Sequence, residues 1–184
     1  MKLLIINNQT KYISQLVNCF NDYDIEVVSI FNLDSINLDS FDAYILSGSS
    51  KYPVKYSLDI YSKELSLIKE SKKPILGICL GFELICHAFN EELVFHDKRI
   101  AGVTEITFNS KDKIFKDLAS PLKVYESHRW SIPRTEYLKT LATSNTGVEI
   151  VKHPTKKIYG LQFHPELKLD KQKILIKNFL KLLN

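Results

Sequence analysis

Residues 73–83 read Lys-Pro-Ile-Leu-Gly-Ile-Cys-Leu-Gly-Phe-Glu, a short apolar run that turns into a helical pattern at a cysteine held between two glycines. A chain makes that passage as strand, tight turn and helix, because a β-carbon at either glycine would strike the adjoining strand or helix. The neighbouring segments agree with such a unit. Leu3–Ile6 is followed by a helical stretch over 9–21 and a second run, Ile25–Phe31. Ala43–Leu46 ends in Ser-Gly and precedes a helical segment at Leu58–Lys69, and Pro74–Cys79 leads into a helix over Leu80–Asn90. These repeats predict an α/β fold: a doubly wound, mainly parallel sheet with helices on both faces and ligand sites at the carboxyl ends of its strands. Two strand ends, Ser47–Ser50 and Gly77–Gly81, are the first places to look for a site.

After Asn90 the pattern changes to closely spaced strand-like runs at Gly102–Phe108, Leu122–Glu126, Leu138–Thr143, Val148–Lys152 and Ile158–Phe163, which predict a smaller antiparallel or mixed region. From Asp170, apolar residues recur near helical spacing between Lys171, Lys173, Lys177 and Lys181, as in a helix that docks one face and solvates its lysines. No internal repeat or Pro/Gly/Ser-rich linker divides the chain, so residues 1–184 are read as one domain.

Composition narrows the function classes. With 184 residues, 45% of them hydrophobic, the chain can bury a sizeable core without disulfide or metal staples. Its 25 Lys and Arg against 21 Asp and Glu give +4, spread along the sequence, which argues against a nucleic-acid partner. No apolar stretch is long enough to span a membrane, and the first residues lack the pattern of a secretory leader. Cys19, Cys79 and Cys86 form no CxxC pair. A cytoplasmic setting and small-molecule chemistry are the expectation.

Gly77-Ile78-Cys79-Leu80-Gly81 has the form of a nucleophile elbow, which places Cys79 at a helix N-terminus where free N–H groups and the helix dipole favour a thiolate. The bland alternative is an inert buried cysteine between packing glycines. A cysteine nucleophile needs a base, and of the five histidines His164 is the best placed. It ends the run Ile158–Phe163 and has a carboxylate two residues on, at Glu166, able to orient and stabilise an imidazolium. His87 is read as a helix-face residue. His96 and Asp97 are assigned to a loop, since no second ligand cluster has metal-site spacing, and neither metal nor cofactor is implied.

Leu46-Ser-Gly-Ser, Gly77-Ile-Cys-Leu-Gly-Phe-Glu, Ser127-His128 and Gly160-Leu-Gln-Phe-His-Pro-Glu166, in this order over essentially the whole chain, resemble a class I (triad-type) glutamine amidotransferase domain, a flavodoxin-like fold. Within that family, KPILGICLG and KKIYGLQFHPE are most similar to the free-standing glutaminase subunit of GMP synthases. The resemblance implies a Cys79–His164–Glu166 triad and an oxyanion hole at Leu80 and Gly48-Ser49. It also implies a γ-glutamyl thioester intermediate, and ammonia made for an ATP-dependent synthetase. The sequence carries neither a G-x-x-x-x-G-K-[ST] loop nor an S-G-G-x-D-S motif with which to activate an acceptor itself.

Three positions depart from the family pattern. Ser47-Gly48-Ser49-Ser50 replaces S-G-G-P, so a positive φ at Ser49 would carry strain. Glu83 stands where the elbow usually has Gln. The S-H-x-D loop reads Ser127-His128-Arg129-Trp130 and has lost its acid. Glu83 could take over the substrate ammonium while Arg129 or Trp130 faces another part of glutamine. Alternatively the pocket is retuned for another γ-glutamyl compound, since C-L-G-F-E also resembles γ-glutamyl hydrolases. Glu83, Ser127, His128, Arg129 and Trp130 are the substrate-binding candidates, with a non-catalytic regulatory relative as the third reading.

Overall fold

The computed structural model describes residues 1–109 and 111–183. Its main sheet has seven strands in the order β2-β1-β3-β4-β9-β8-β7, and a second sheet pairs β5 with β6. The strands are β1 (Lys2–Asn7), β2 (Asp24–Ser29), β3 (Ala43–Leu46), β4 (Ile75–Ile78), β5 (Val94–Ile106), β6 (Leu122–Ser131), β7 (Lys139–Ser144), β8 (Gly147–Lys152) and β9 (Ile158–Leu161). The first five in spatial order are parallel, while β8 and β7 continue the sheet antiparallel. The helices are α1 (Ile13–Asn18), α2 (Ser62–Glu70), α3 (Leu80–Ala88) and α4 (Asp170–Lys181). None of them is long and apolar enough to cross a membrane.

Strand periodicity explains the layering. Leu4 and Ile6 of β1 face one core with Leu67 and Ile68 of α2 and Leu84 and Ile85 of α3. Leu3 and Ile5 face the other, with Leu16 of α1 and Leu175, Ile176 and Phe179 of α4. A strand segment buried on both faces must be apolar at every position, which is why Leu3–Ile6 of β1 and all of β3, β4 and β9 read as uninterrupted runs without a polar side chain bar the Tyr44 and Tyr159 hydroxyls.

Several boundaries differ from the sequence expectation. The first helix is confined to Ile13–Asn18, because Gln9 takes a left-handed φ of 67° and residues 9–12 turn before the helix starts. The strand expected through Phe31 ends at Ser29, whose side chain accepts from the Phe31 amide and starts a 3₁₀ turn. His96 and Asp97 are not in a loop. They lie in β5, which runs from Val94 across an irregularity between Phe95 and Ile100 that breaks the alternation a strand would show. Ser127 and His128 likewise sit within β6 rather than in a loop.

Candidate active site

The carboxyl ends of β3, β4 and β9 meet at one point, and the elbow is the reason. Cys79 links β4 to α3 with φ 53° and ψ −103°, a left-handed backbone for a residue with a side chain. Its amide donates to Leu161 O of β9 at 2.8 Å, and its carbonyl accepts from the Glu83 amide at 3.0 Å, so both sides of the turn are fixed. The flanking glycines are steric requirements. A Cβ on Gly77 would stand 2.4 Å from Gly81 O, and one on Gly81 would stand 2.4 Å from Leu46 O.

From β3, Gly48 comes so close that a Cβ there would lie 3.2 Å from His164 Cε1 and 3.3 Å from Cys79 Cβ. Ser49 is not in a left-handed conformation, so the strain expected there is absent. The loop uses ordinary backbone, and Ser47 anchors it by accepting the Asn8 amide on its hydroxyl at 2.9 Å.

His164 sits past the end of β9 in a turn. Its Nδ1 is 2.8 Å from Glu166 Oε1, and its backbone is held by the Tyr125 carbonyl at 2.9 Å and by Gln172 Nε2 on its own carbonyl at 2.9 Å. Tyr12 meets the ring edge-on with centroids 5.4 Å apart. Burial alone would lower the imidazole pKa. The charge of Cys79, a hydrogen bond with it and the Glu166 carboxylate outweigh that burial, and hold the pKa well above its ordinary range. Cys79, His164 and Glu166 are thus brought together as one chain of contacts, all three nearly inaccessible.

A cavity of about 290 Å³ opens beside Cys79, and every substrate-binding candidate lines it: Glu83, Ser127, His128, Arg129 and Trp130, together with Ser49 and Leu80. Its size suits an amino acid better than a drug-sized ligand. The Ser127 carbonyl is 4.0 Å from Cys79 Sγ. Glu83 is 4% exposed, and burial, countered by a 3.4 Å hydrogen bond from Gln162 Nε2, pushes its pKa up to about 8. Trp130 packs on Phe95 and Tyr56. His128 is buried, with its pKa lowered to about 4 chiefly by that burial, and its Nδ1 is 2.8 Å from Trp130 O.

Arg99, Phe95 and Pro53 also line the cavity and were not legible as site residues. Arg99 donates to Ser127 Oγ and also borders a second, smaller cavity of about 20 Å³ on the His164 side. Phe95 and Arg99 lie in an irregular strand and Pro53 just before a 3₁₀ turn, and none of them belongs to a motif, so no sequence signal marked them. His87 lies half-buried on α3, away from the cavity lining, as expected of a helix-face residue.

Residues 4–182 match the model of the class I glutamine amidotransferases. The chain belongs to this family. It is 33% identical over 170 residues to a glutamine-hydrolyzing GMP synthase subunit of Pyrococcus furiosus, covering 90% of this chain and 89% of that one. It is 32% identical over 186 residues to the subunit of the same name from Pyrococcus abyssi, covering 98% and 97%. A crystal structure of a putative GMP synthase subunit from Thermoplasma acidophilum superposes with a TM-score of 0.89 at 26% identity, over 100% of this chain and 94% of that one. Over nearly its whole length the chain is thus similar, at about a third identity, to glutamine-hydrolyzing GMP synthase subunits.

Proposed function

We propose that the chain hydrolyses the side-chain amide of glutamine through a thioester on Cys79 and supplies the ammonia to an ATP-dependent synthetase subunit. The observation that carries this reading is the contact chain from Cys79 through His164 to Glu166, set against an amino-acid-sized cavity. The N–H of His164 Nδ1 donates to the Glu166 carboxylate, which leaves Nε2 to serve the nucleophile. The Cys79 thiolate attacks the amide carbon, and the tetrahedral oxyanion faces the backbone amides of Leu80 and of Gly48-Ser49. His164 then gives its Nε2 proton to the departing nitrogen, ammonia leaves, and the γ-glutamyl thioester remains. Water, deprotonated by His164, attacks the thioester and releases glutamate and the thiolate.

The similar GMP synthase subunits support a synthetase subunit as partner. A second reading, hydrolysis of another γ-glutamyl compound, is favoured by Glu83 and Trp130 at the departures from the family pattern.

The test is glutamate release from glutamine and from a γ-glutamyl dipeptide by the purified chain, with and without an ATP-dependent synthetase, and with Cys79→Ala as control. Glutamine cleavage that rises with the synthetase is the expected result. Cleavage of the dipeptide alone would replace the first reading by the second.

A further inference from the structure

At the pocket wall, where His128 also borders the cavity, three side chains from two sheets converge. Glu126 and His128 are two residues apart on β6 and so share a face, while Glu149 comes from β8 of the main sheet. One ligand-type atom of each lies within 4.8 Å of the others. The residues are 2%, 4% and 1% exposed.

The hydrogen bonding around them leaves only acceptors facing inward. His128 Nδ1 is 2.8 Å from the Trp130 carbonyl, which can only accept, so Nδ1 carries the proton and Nε2 presents a lone pair. That Nε2 is 3.9 Å from Glu126 Oε2. Glu149 Oε1 accepts from the hydroxyls of Ser144 at 2.8 Å and Thr146 at 3.0 Å. His128 Nε2, Glu126 Oε1 and Glu149 Oε2 are buried with no hydrogen-bond partner among the described residues. Among the described residues no lysine or arginine is ion-paired with either carboxylate. A proton shared by the two carboxyls would satisfy one oxygen pair and leave the imidazole lone pair unserved.

We propose that Glu126, His128 and Glu149 bind one divalent cation of the zinc class in place of that proton. Two carboxylates and a 2+ ion sum to zero charge, which suits a site with almost no access to water. One imidazole nitrogen and two carboxylate oxygens form a donor set that zinc accepts. Tetrahedral ligands at about 2.0–2.2 Å stand roughly 3.3–3.6 Å apart, so the three side chains would close by about 1 Å onto the ion. The groups around them already have the arrangement that orients metal ligands: a carbonyl on the far nitrogen of the imidazole and hydroxyls on a carboxylate. Three protein donors leave the fourth position to a small ligand such as one water, and the ion would serve to brace the structure. It would tie β6 of the small sheet to β8 of the main sheet and hold Ser127 and Trp130 as the pocket wall.

The experiment uses the full chain, free of any metal-binding tag and stripped with a chelator. Zn²⁺ or Mn²⁺ is added, and bound metal and Tm are measured after gel filtration. The expected result is about one equivalent of zinc per chain, a Tm several degrees higher than that of the stripped protein, and binding at least tenfold weaker in Glu149→Gln. Because Cys79 and His164 could also take zinc, Cys79→Ser is measured in parallel. Zinc lost in Cys79→Ser but kept in Glu149→Gln overturns the proposal. So does wild-type protein that binds no metal and shows no Tm shift, which would leave the cluster holding protons alone. Circular dichroism of stripped Glu149→Gln shows whether the variant is folded, so that lost binding is not mistaken for lost structure.

Discussion

His164 Nδ1 lies 2.8 Å from Glu166 Oε1 although only Pro165 separates the two residues. The pairing is made by the turn after β9 rather than by strand alternation, and Gln172 from α4 braces it through the His164 carbonyl. An amide in place of the carboxylate would present an N–H₂ or a weaker acceptor to Nδ1, disturbing the tautomer that aims Nε2 at Cys79. Glu166→Gln is therefore expected to lower kcat for glutamate release by about 10²–10⁴-fold with a Tm close to wild type. Cys79→Ala should abolish turnover. Parallel kcat and Tm measurements separate a chemical defect from an unfolded one, and an active Glu166→Gln would remove Glu166 from the proposed machinery.

Gly81 tests the elbow as a packing device. Its missing Cβ is what lets Leu46 O come within 2.4 Å of that position, so the carboxyl end of β3 rests directly on the start of α3. Gly81→Ala must push these two backbones apart, at a cost of about 1–3 kcal/mol. The same shift would move Gly48 away from Cys79, so thermal melts should show a lower Tm and kinetics a loss of kcat out of proportion to it. A variant with wild-type Tm and rate would mean that the contact relaxes freely.

The parts of the fold that sequence displayed are those where one local rule acts alone. β3 at Ala43–Leu46 was read with its exact bounds because a doubly buried strand tolerates no polar residue, and the elbow was legible because only glycine fits on both sides of Cys79. Cys79, His164 and Glu166, which the structure brings into contact, were marked by the elbow and by a strand-end histidine with a carboxylate two residues on. What stayed hidden depends on tertiary contact. β5 was missed between Val94 and Ala101 because its irregular register breaks the period-two pattern, which also hid Arg99 and misplaced His96 and Asp97. The Glu126–His128–Glu149 cluster joins strands from two sheets, and no spacing along the chain announces it.

Among the described residues Glu83 is the only carboxyl lining the cavity beside Cys79, and its burial holds it largely protonated below pH 8. A glutamine ammonium entering the cavity would pair with the ionised form. Below that pKa, binding must first remove a proton, so KM for glutamine should fall as pH rises toward 8 and level off above it. In Glu83→Gln the profile should flatten, with KM raised above wild type at pH 8.5 and kcat changed less. Steady-state kinetics from pH 6 to 9 check this, and an unaltered KM profile in the variant would assign the ammonium to other groups.

Glu64, fully buried on α2, gives the clearest pH-dependent stability. Asn8 Nδ2 donates to its Oε1 at 3.0 Å, while Oε2 has no partner among the described residues. Burial raises its pKa from 4.5 to about 8, against the smaller opposing effect of the Asn8 hydrogen bond. The folded state therefore binds more protons than the unfolded chain between these two values. The stability contributed by the neutral carboxyl is fully present below pH 4.5 and is lost as pH rises through 8, with a slope that approaches about 1.4 kcal/mol per pH unit inside the window. Glu83 and Glu149 add slopes of the same sign, so the test is a difference. Glu64→Gln keeps an acceptor for Asn8 and has no proton to lose. The Tm of Glu64→Gln relative to wild type should thus climb steadily from pH 5 to pH 8.5, while parallel Tm curves would show that Glu64 ionises as readily in the folded protein as in the unfolded chain.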